Sequence, residues 1–241
     1  MVSPIVKTYM QFAATTMGRD KAYRFVQYFC RFLSYYAMKY GAPKAIVQPL
    51  NALKASIGLT RKLMRIGKPI DFIVGAKQAM KSTPDDLLRL LRTVKQVFMA
   101  LYMCSDSLQW VHGANVYKFR NHATIVRIGA KFWLTALACS WLAGIYQLYE
   151  NRVRYSSISP RLMIFKDRQQ QTDEILLEAQ TISSERHLIM RQLIQDSLDI
   201  LIPSHTLLYH NLGEGIVGLA GAITAFMGGQ PQWFKLYNAK F

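Results

Sequence analysis

The chain has 241 residues, with 30 lysines and arginines against 14 acids, a formal net charge of +16. Hydrophobic residues make up 51% and charged residues only 18%, and the mean hydropathy is +0.07. That balance is too apolar for a disordered tail and poorer in charge than the roughly 25% usual in soluble domains, so the chain belongs against an anionic surface, a membrane or a nucleic acid. Cys30, Cys104 and Cys139 stand far apart with no CxxC. Neither a disulfide framework nor a structural zinc site is therefore expected, and a reducing compartment is.

The positive charge sits in the N-terminal half. Residues 1–131 hold 21 cations and five acids, and between Asp20 and Asp71 ten cations occur with no acid. Residues 150–199 are balanced, with seven cations and eight acids. The stretch Asp20 to Tyr40, free of Gly and Pro, interleaves aromatics with Lys21, Arg24 and Arg31 and predicts the first long helix. Gly41, Pro43 and Pro49 punctuate the chain just beyond it. Ser82-Thr83-Pro84-Asp85-Asp86 predicts a helix start, with a hydroxyl cap, proline in the first turn and acids at the positive dipole end. The helix it opens carries Leu87, Leu91, Val94, Phe98 and Leu101 on one face. Phe132 to Tyr149 is 18 residues without a charge, roughly 27 Å as a helix and about the thickness of a bilayer core. Another helical pattern runs from Thr172 to Ile202 and ends at Pro203. From Ile200 to Phe234 the only charge is Glu214, and the apolar core Ile216 to Met227 is too short to span alone. It extends upstream past Glu214, extends downstream to Trp233, or packs as a re-entrant piece.

No alternating strand pattern occurs, so the fold class is all-α: a membrane-associated helical bundle with amphipathic helices and one to two transmembrane segments. The expected organisation is a basic cytosolic or interfacial region (1–131), a transmembrane helix (132–149), a helical loop region (150–205), a glycine-rich membrane segment (206–234) and a short tail (235–241). The cation-rich region should stay cytosolic, and two spans place both termini there. Met1 to Met17 lacks a sustained apolar core, and Asn238-Ala239-Lys240-Phe241 is no matrix-import signal, so insertion outside the secretory route is expected.

Leu53 to Lys68 is the most informative stretch. As a single helix it gathers Lys54, Arg61, Lys62, Arg65 and Lys68 within an arc of roughly 120°, with Leu53, Ile57, Leu63, Met64 and Ile66 on the opposite half. That is the pattern of a helix lying in the membrane interface, apolar face inserted and cations on the phosphates of an anionic phospholipid membrane. Each such cation contributes about 1 kcal/mol. The competing reading is a bundle helix with a solvated basic face, although no acid interrupts that face. Gly213-Glu214-Gly215-Ile216-Val217-Gly218 is formally GxGxxG, but no strand precedes it and no βαβ unit surrounds it. Gly215, Gly218, Gly221, Ala222 and Ala225, spaced by three and four, fit close helix packing in a bilayer instead. The five histidines lack metal-ligand spacing, and no P-loop, GxSxG or carboxylate pair occurs, so no metal, no cofactor and no enzymatic activity are expected. Asp106 and Glu214, lone acids in apolar surroundings, pair locally with basic residues or line a polar path. The transmembrane segment argues against nucleic acid as the partner.

Three blocks resemble the peroxin-11 family of peroxisomal membrane elongation and division proteins, in its fungal form. They are Gly18-Arg19-Asp20-Lys21 with Arg24, Gln27-Tyr28 and Arg31-Phe32-Leu33; Arg61-Lys62-Leu63-Met64-Arg65 with Gly67-Lys68-Pro69; and Gly218-Leu219-Ala220-Gly221-Ala222 with Trp233. The blocks occur in family order and run nearly end to end. The resemblance implies an integral peroxisomal membrane protein that elongates the membrane before division and self-associates as a homo-oligomer. It also implies work with a division machinery that includes a dynamin-related GTPase, and delivery by the peroxisomal membrane-protein import receptor. A pore for small metabolites is the alternative that the family leaves open.

Overall fold

The computed structural model describes residues 3–164 and 169–238, the side chains of residue 4 and of residues 159–174 excepted. Residues 1–2 and the last three residues of the expected tail, 239–241, lie outside the described residues. Among the described residues eight helices occur in the order α1 (Pro4–Ala14), α2 (Thr16–Lys39), α3 (Lys44–Met64), α4 (Lys68–Ser82), α5 (Asp86–Gly113), α6 (His122–Ile164), α7 (Gln169–Thr206) and α8 (Gly213–Asn238). Among the described residues there is no strand. The all-α class is the observed one.

Local chemistry sets the boundaries, with several differences from the sequence expectation. The Thr15 hydroxyl caps α2 by accepting from the Gly18 amide at 3.0 Å. At α5 the cap is the carboxylate of Asp85, accepting from the Leu88 amide at 2.7 Å, and not the expected hydroxyl, because Pro84 precedes the cap instead of following it. Asp85→Ala should therefore lower stability by about 1 kcal/mol, while Ser82→Ala leaves it unchanged. Thermal unfolding of the purified chain in detergent checks the pair, with a drop of roughly 2–4 °C expected only for the first. The amphipathic stretch is not one helix. It ends at Met64, and Gly67, at φ 93°, turns the chain into α4, so Lys68 belongs to the next helix. Pro49, Pro203 and Pro231 are carried inside α3, α7 and α8, so α7 continues past the expected stop to Thr206 and α8 runs downstream through Trp233. The apolar stretch 132–149 is the middle of the 43-residue α6.

Six helices close into a ring in which α2 packs on α3, α3 on α5, α5 on α6, α6 on α7, α7 on α8, and α8 back on α2. Helix α4 lies along α5, and α1 lies against α8 and α2. The α3–α5 contact is the thinnest of the six. The α2–α8 contact is the closest: Gly215, Gly218 and Gly221 of α8 face Tyr35, Phe32 and Tyr28 of α2, and a Cβ on Gly218 would sit 2.6 Å from the Phe32 backbone nitrogen. Ala222 and Ala225 are buried on α8 beside them.

The ring buries polar and charged side chains beside its small apolar ones and exposes many large apolar side chains. On α2, Asp20, Arg24 and Ser34 are buried while Phe25, Val26 and Phe29 are exposed. On α6, Ser140 and Asn151 are buried while Trp141, Leu142 and Ile145 face out. The interior groups find partners, as buried polar groups must: Ser140 donates to Asp196 at 2.6 Å and accepts from Lys95 at 2.8 Å, and the Asn151 amide donates to the Ile182 carbonyl at 2.9 Å. Helix α6 is the one helix, among the described residues, long and apolar enough to cross a membrane, over His122–Ile158. With 39% of its most apolar stretch buried, that stretch is less enclosed than the mostly buried core helix of a water-soluble protein. Helix α8, with its glycines and Glu214, is too little apolar over a spanning length to be a second such helix.

Candidate functional site

The cations of the 53–68 stretch share one side, and that side faces into the ring. Arg61 is 6% exposed; its Nε lies 3.1 Å from Asp20, and its Nη1 donates to Gln27 at 2.7 Å. The Lys62 ammonium donates to Gln109 at 2.7 Å and stands 3.8 Å from Asp106. Arg65 lies 2.7 Å from the same Asp106 carboxylate and donates to the Arg61 carbonyl at 3.1 Å. Lys54 and Lys68 are half-buried and hold no ion pair among the described residues. In the folded chain the basic arc therefore meets carboxylates of α2 and α5 where lipid phosphates were expected. The reason is electrostatic: cations carried into the interior need counter-charges there, and Asp20 and Asp106 supply them. The apolar half is turned outward as the amphipathic pattern requires, with Leu53, Leu63 and Ile66 at 46%, 48% and 48% exposure and Ile57 and Met64 half-buried.

The sequence reading missed the partners because they lie on other helices. An acid-free face looked available to a membrane, while its counter-charges, Asp20 and Asp106, were 41 and 41 residues away from Arg61 and Arg65 on either side. The available signal was Asp106 itself, a lone acid in an apolar helix that needs a cation; the pairing expected to be local instead reaches across the ring to Lys62 and Arg65. Glu214 likewise accepts from Arg31 of α2 and lies 3.1 Å from His205.

Asp20, Arg61, Lys62, Arg65, Lys68 and Asp106 line a cavity of about 400 Å³ between α2, α3, α4, α5, α6 and α7. A neighbouring cavity of about 460 Å³ shares Gln27, Tyr28, Arg31, Gly58, Lys62 and Gln109 with it. Arg24 reaches the interior from α2, paired with Asp199 of α7 and donating to Thr224 of α8 at 2.9 Å. Burial, reinforced by Arg24 nearby, pulls the Lys21 ammonium down to about 8. For Asp20, burial pushes the carboxyl up, but Arg61 and Arg65 outweigh it and hold it below its usual value. The arrangement is one of electrostatic binding. Among the described residues no group of three or more His, Cys, Asp or Glu could hold a metal ion.

Comparison with known proteins gives this arrangement its context. The model of the peroxisomal biogenesis factor 11 (PEX11) family matches residues 6–233. The chain belongs to the PEX11 family. It is 27% identical over 226 residues to peroxisomal biogenesis factor 11 of Schizosaccharomyces pombe, covering 91% of each chain. It is 25% identical over 245 residues to the peroxisomal membrane protein PMP30B of Candida boidinii, covering 95% of this chain and 94% of that one. It is 24% identical over 238 residues to the human peroxisomal membrane protein 11A, covering 91% and 93%. No solved structure matches the chain. PEX11 membership makes it a protein of the peroxisomal membrane and of peroxisome proliferation, within a biogenesis family and not a family of enzymes.

Proposed function

We propose that the chain remodels and elongates the peroxisomal membrane, promoting division, by seating the outward apolar surface of α3 in the cytosolic leaflet. The supporting observation is that surface: Leu53, Leu63 and Ile66, flanked by Ile57 and Met64, continue onto α4 as exposed Ile70 and Ile73. Each large side chain transferred from water to an apolar phase contributes about 1.5–3 kcal/mol, and material added to one leaflet favours curvature. The inward cations Arg61, Lys62 and Arg65 hold α3 on the ring, so its orientation is set by the protein. Exposed Lys39, Lys44, Lys77 and Lys81 bring it to an anionic phospholipid membrane. In this reading α6 spans the bilayer, the N-terminal region and both termini face the cytosol, and copies self-associate to concentrate the effect. A dynamin-related GTPase then acts on the elongated membrane, and the peroxisomal membrane-protein import receptor delivers the chain.

The test uses the full chain in vesicles rich in anionic lipid. Leu63→Glu combined with Ile66→Glu should abolish tubules seen by electron microscopy, since two carboxylates would have to enter the acyl region. Tubulation at the unsubstituted level would overturn insertion by α3. A second reading, a pore for small metabolites, is favoured by one observation, the two neighbouring cavities lined by charged side chains between the helices, one of them bordered by Glu214. Conductance in planar bilayers, altered by Glu214→Ala, would mark the pore; silence alongside tubulation leaves remodelling.

A further inference from the structure

The cavity carries more positive charge than its own structure uses. Lys21, Arg24 and Arg31 reach it from α2 and Arg61 and Lys62 from α3, and Arg65 and Lys68 complete seven cations, against two lining carboxylates, Asp20 and Asp106. Asp199 and Glu214 occupy Arg24 and Arg31 from outside the lining, which still leaves Lys21 and Lys68 without an ion pair among the described residues. Both side chains are half-buried, and an ammonium drawn part-way out of water without a paired carboxylate gains from an anion placed beside it. Arg24 makes the same point with a different atom: its guanidinium is spent on Asp199 and Thr224, yet its buried Nε has no hydrogen-bond partner among the described residues. Neutral donors and acceptors complete the wall, with Gln27, Tyr28, Tyr102 and Gln109 among the lining residues. Volume, excess charge and orphaned donors are complementary to one kind of guest, a compact anion carrying at least two negative charges, which bidentate and point-charge donors recognise together.

We propose that this cavity is a binding site for a phosphate-bearing anion, with Lys21 and Lys68 as the cations left open for it and Arg24 Nε as a further donor. A soluble phosphate compound and the headgroup of a phosphorylated lipid present the same chemistry, and the test separates them. The full chain is purified in neutral detergent and titrated with inorganic pyrophosphate by calorimetry; in parallel it is reconstituted into nanodiscs of phosphatidylcholine with or without phosphatidylinositol 4-phosphate. Lys21→Gln and Lys68→Gln are the variants, since neither removes an ion pair of the fold. Arg186→Gln, on the exposed side of α7, is the control.

Saturable pyrophosphate binding, weakened roughly tenfold by Lys21→Gln or Lys68→Gln and unchanged by Arg186→Gln, supports the site with a soluble ligand. Stabilisation only in nanodiscs that contain the phosphorylated lipid, lost in the same two variants, supports it with a headgroup. The absence of saturable binding to either probe overturns the proposal. So does binding that Arg186→Gln weakens as much as the cavity variants, which is the behaviour of a diffuse positive surface.

Discussion

Asp106→Ala should destabilise the folded chain by about 3–5 kcal/mol, the range for removing one partner of a buried ion pair. Asp106 is 3% exposed and is the carboxylate nearest both Lys62 and Arg65. Without it, the two cations keep only neutral acceptors, among them the Gln109 oxygen for Lys62 and the Arg61 carbonyl for Arg65. The damage concentrates between α3 and α5, where packing is thinnest and the ion pairs are the main tie. At this chain length the loss corresponds to a fall in melting temperature of roughly 6–20 °C. Exchanging both partners for apolar residues of similar size, as in Asp106→Leu with Arg65→Met, should recover most of it, because no charge is then left unpaired. A melting curve that Asp106→Ala leaves in place would mean that these charges are hydrated and the interior is not dry.

Gly218→Ala should destabilise the chain by about 1–3 kcal/mol although it adds a single methyl group. Its Cβ would lie 2.6 Å from the Phe32 nitrogen and 2.9 Å from the Phe32 Cα, and backbone atoms have no rotamer to escape into. The contrast is Gly228→Ala on the same helix, where the nearest atom is the tip of Lys21 at 2.9 Å, a flexible end that can move. There the gain in helix propensity, up to about 1 kcal/mol, offsets the shift. Thermal unfolding of both variants in one detergent decides the matter: equal effects would show that α2 and α8 are not held at backbone contact.

The elements were legible because helical signals here are local. The aromatic and basic run of α2 and the uncharged middle of α6 needed nothing beyond the chain near them. Boundaries were less so. A proline ends a helix only if nothing else supports the turn, and at Pro203 the packing of α7 on α6 carries the helix on to Thr206. Gly67 was visible, but that its φ of 93° would separate Lys68 from the rest of the arc depends on where α4 must dock. The direction of the basic face was the least legible feature. Amphipathicity says that two faces differ; it does not say which faces the protein. In water the apolar face turns inward, and in a bilayer it turns outward, so the same pattern fits opposite placements until Asp20 and Asp106 are located.

The six contacts of the ring are unequal in kind, and that has a mechanical consequence. Between α2 and α8 the chain is locked by shape, with backbone lying against backbone, whereas between α3 and α5 it is fastened by a few charges around one carboxylate. Shape locks resist displacement at many atoms at once; a fastening made of charges around one carboxylate is lost with that carboxylate. Helix α3 also hangs between Gly41 and Gly67, both at positive φ with open space around them, so its ends resist little. A load that pulls the ring open therefore parts it first along α3, and the circle of helices behaves as a clasp with a fixed hinge side and a releasable catch.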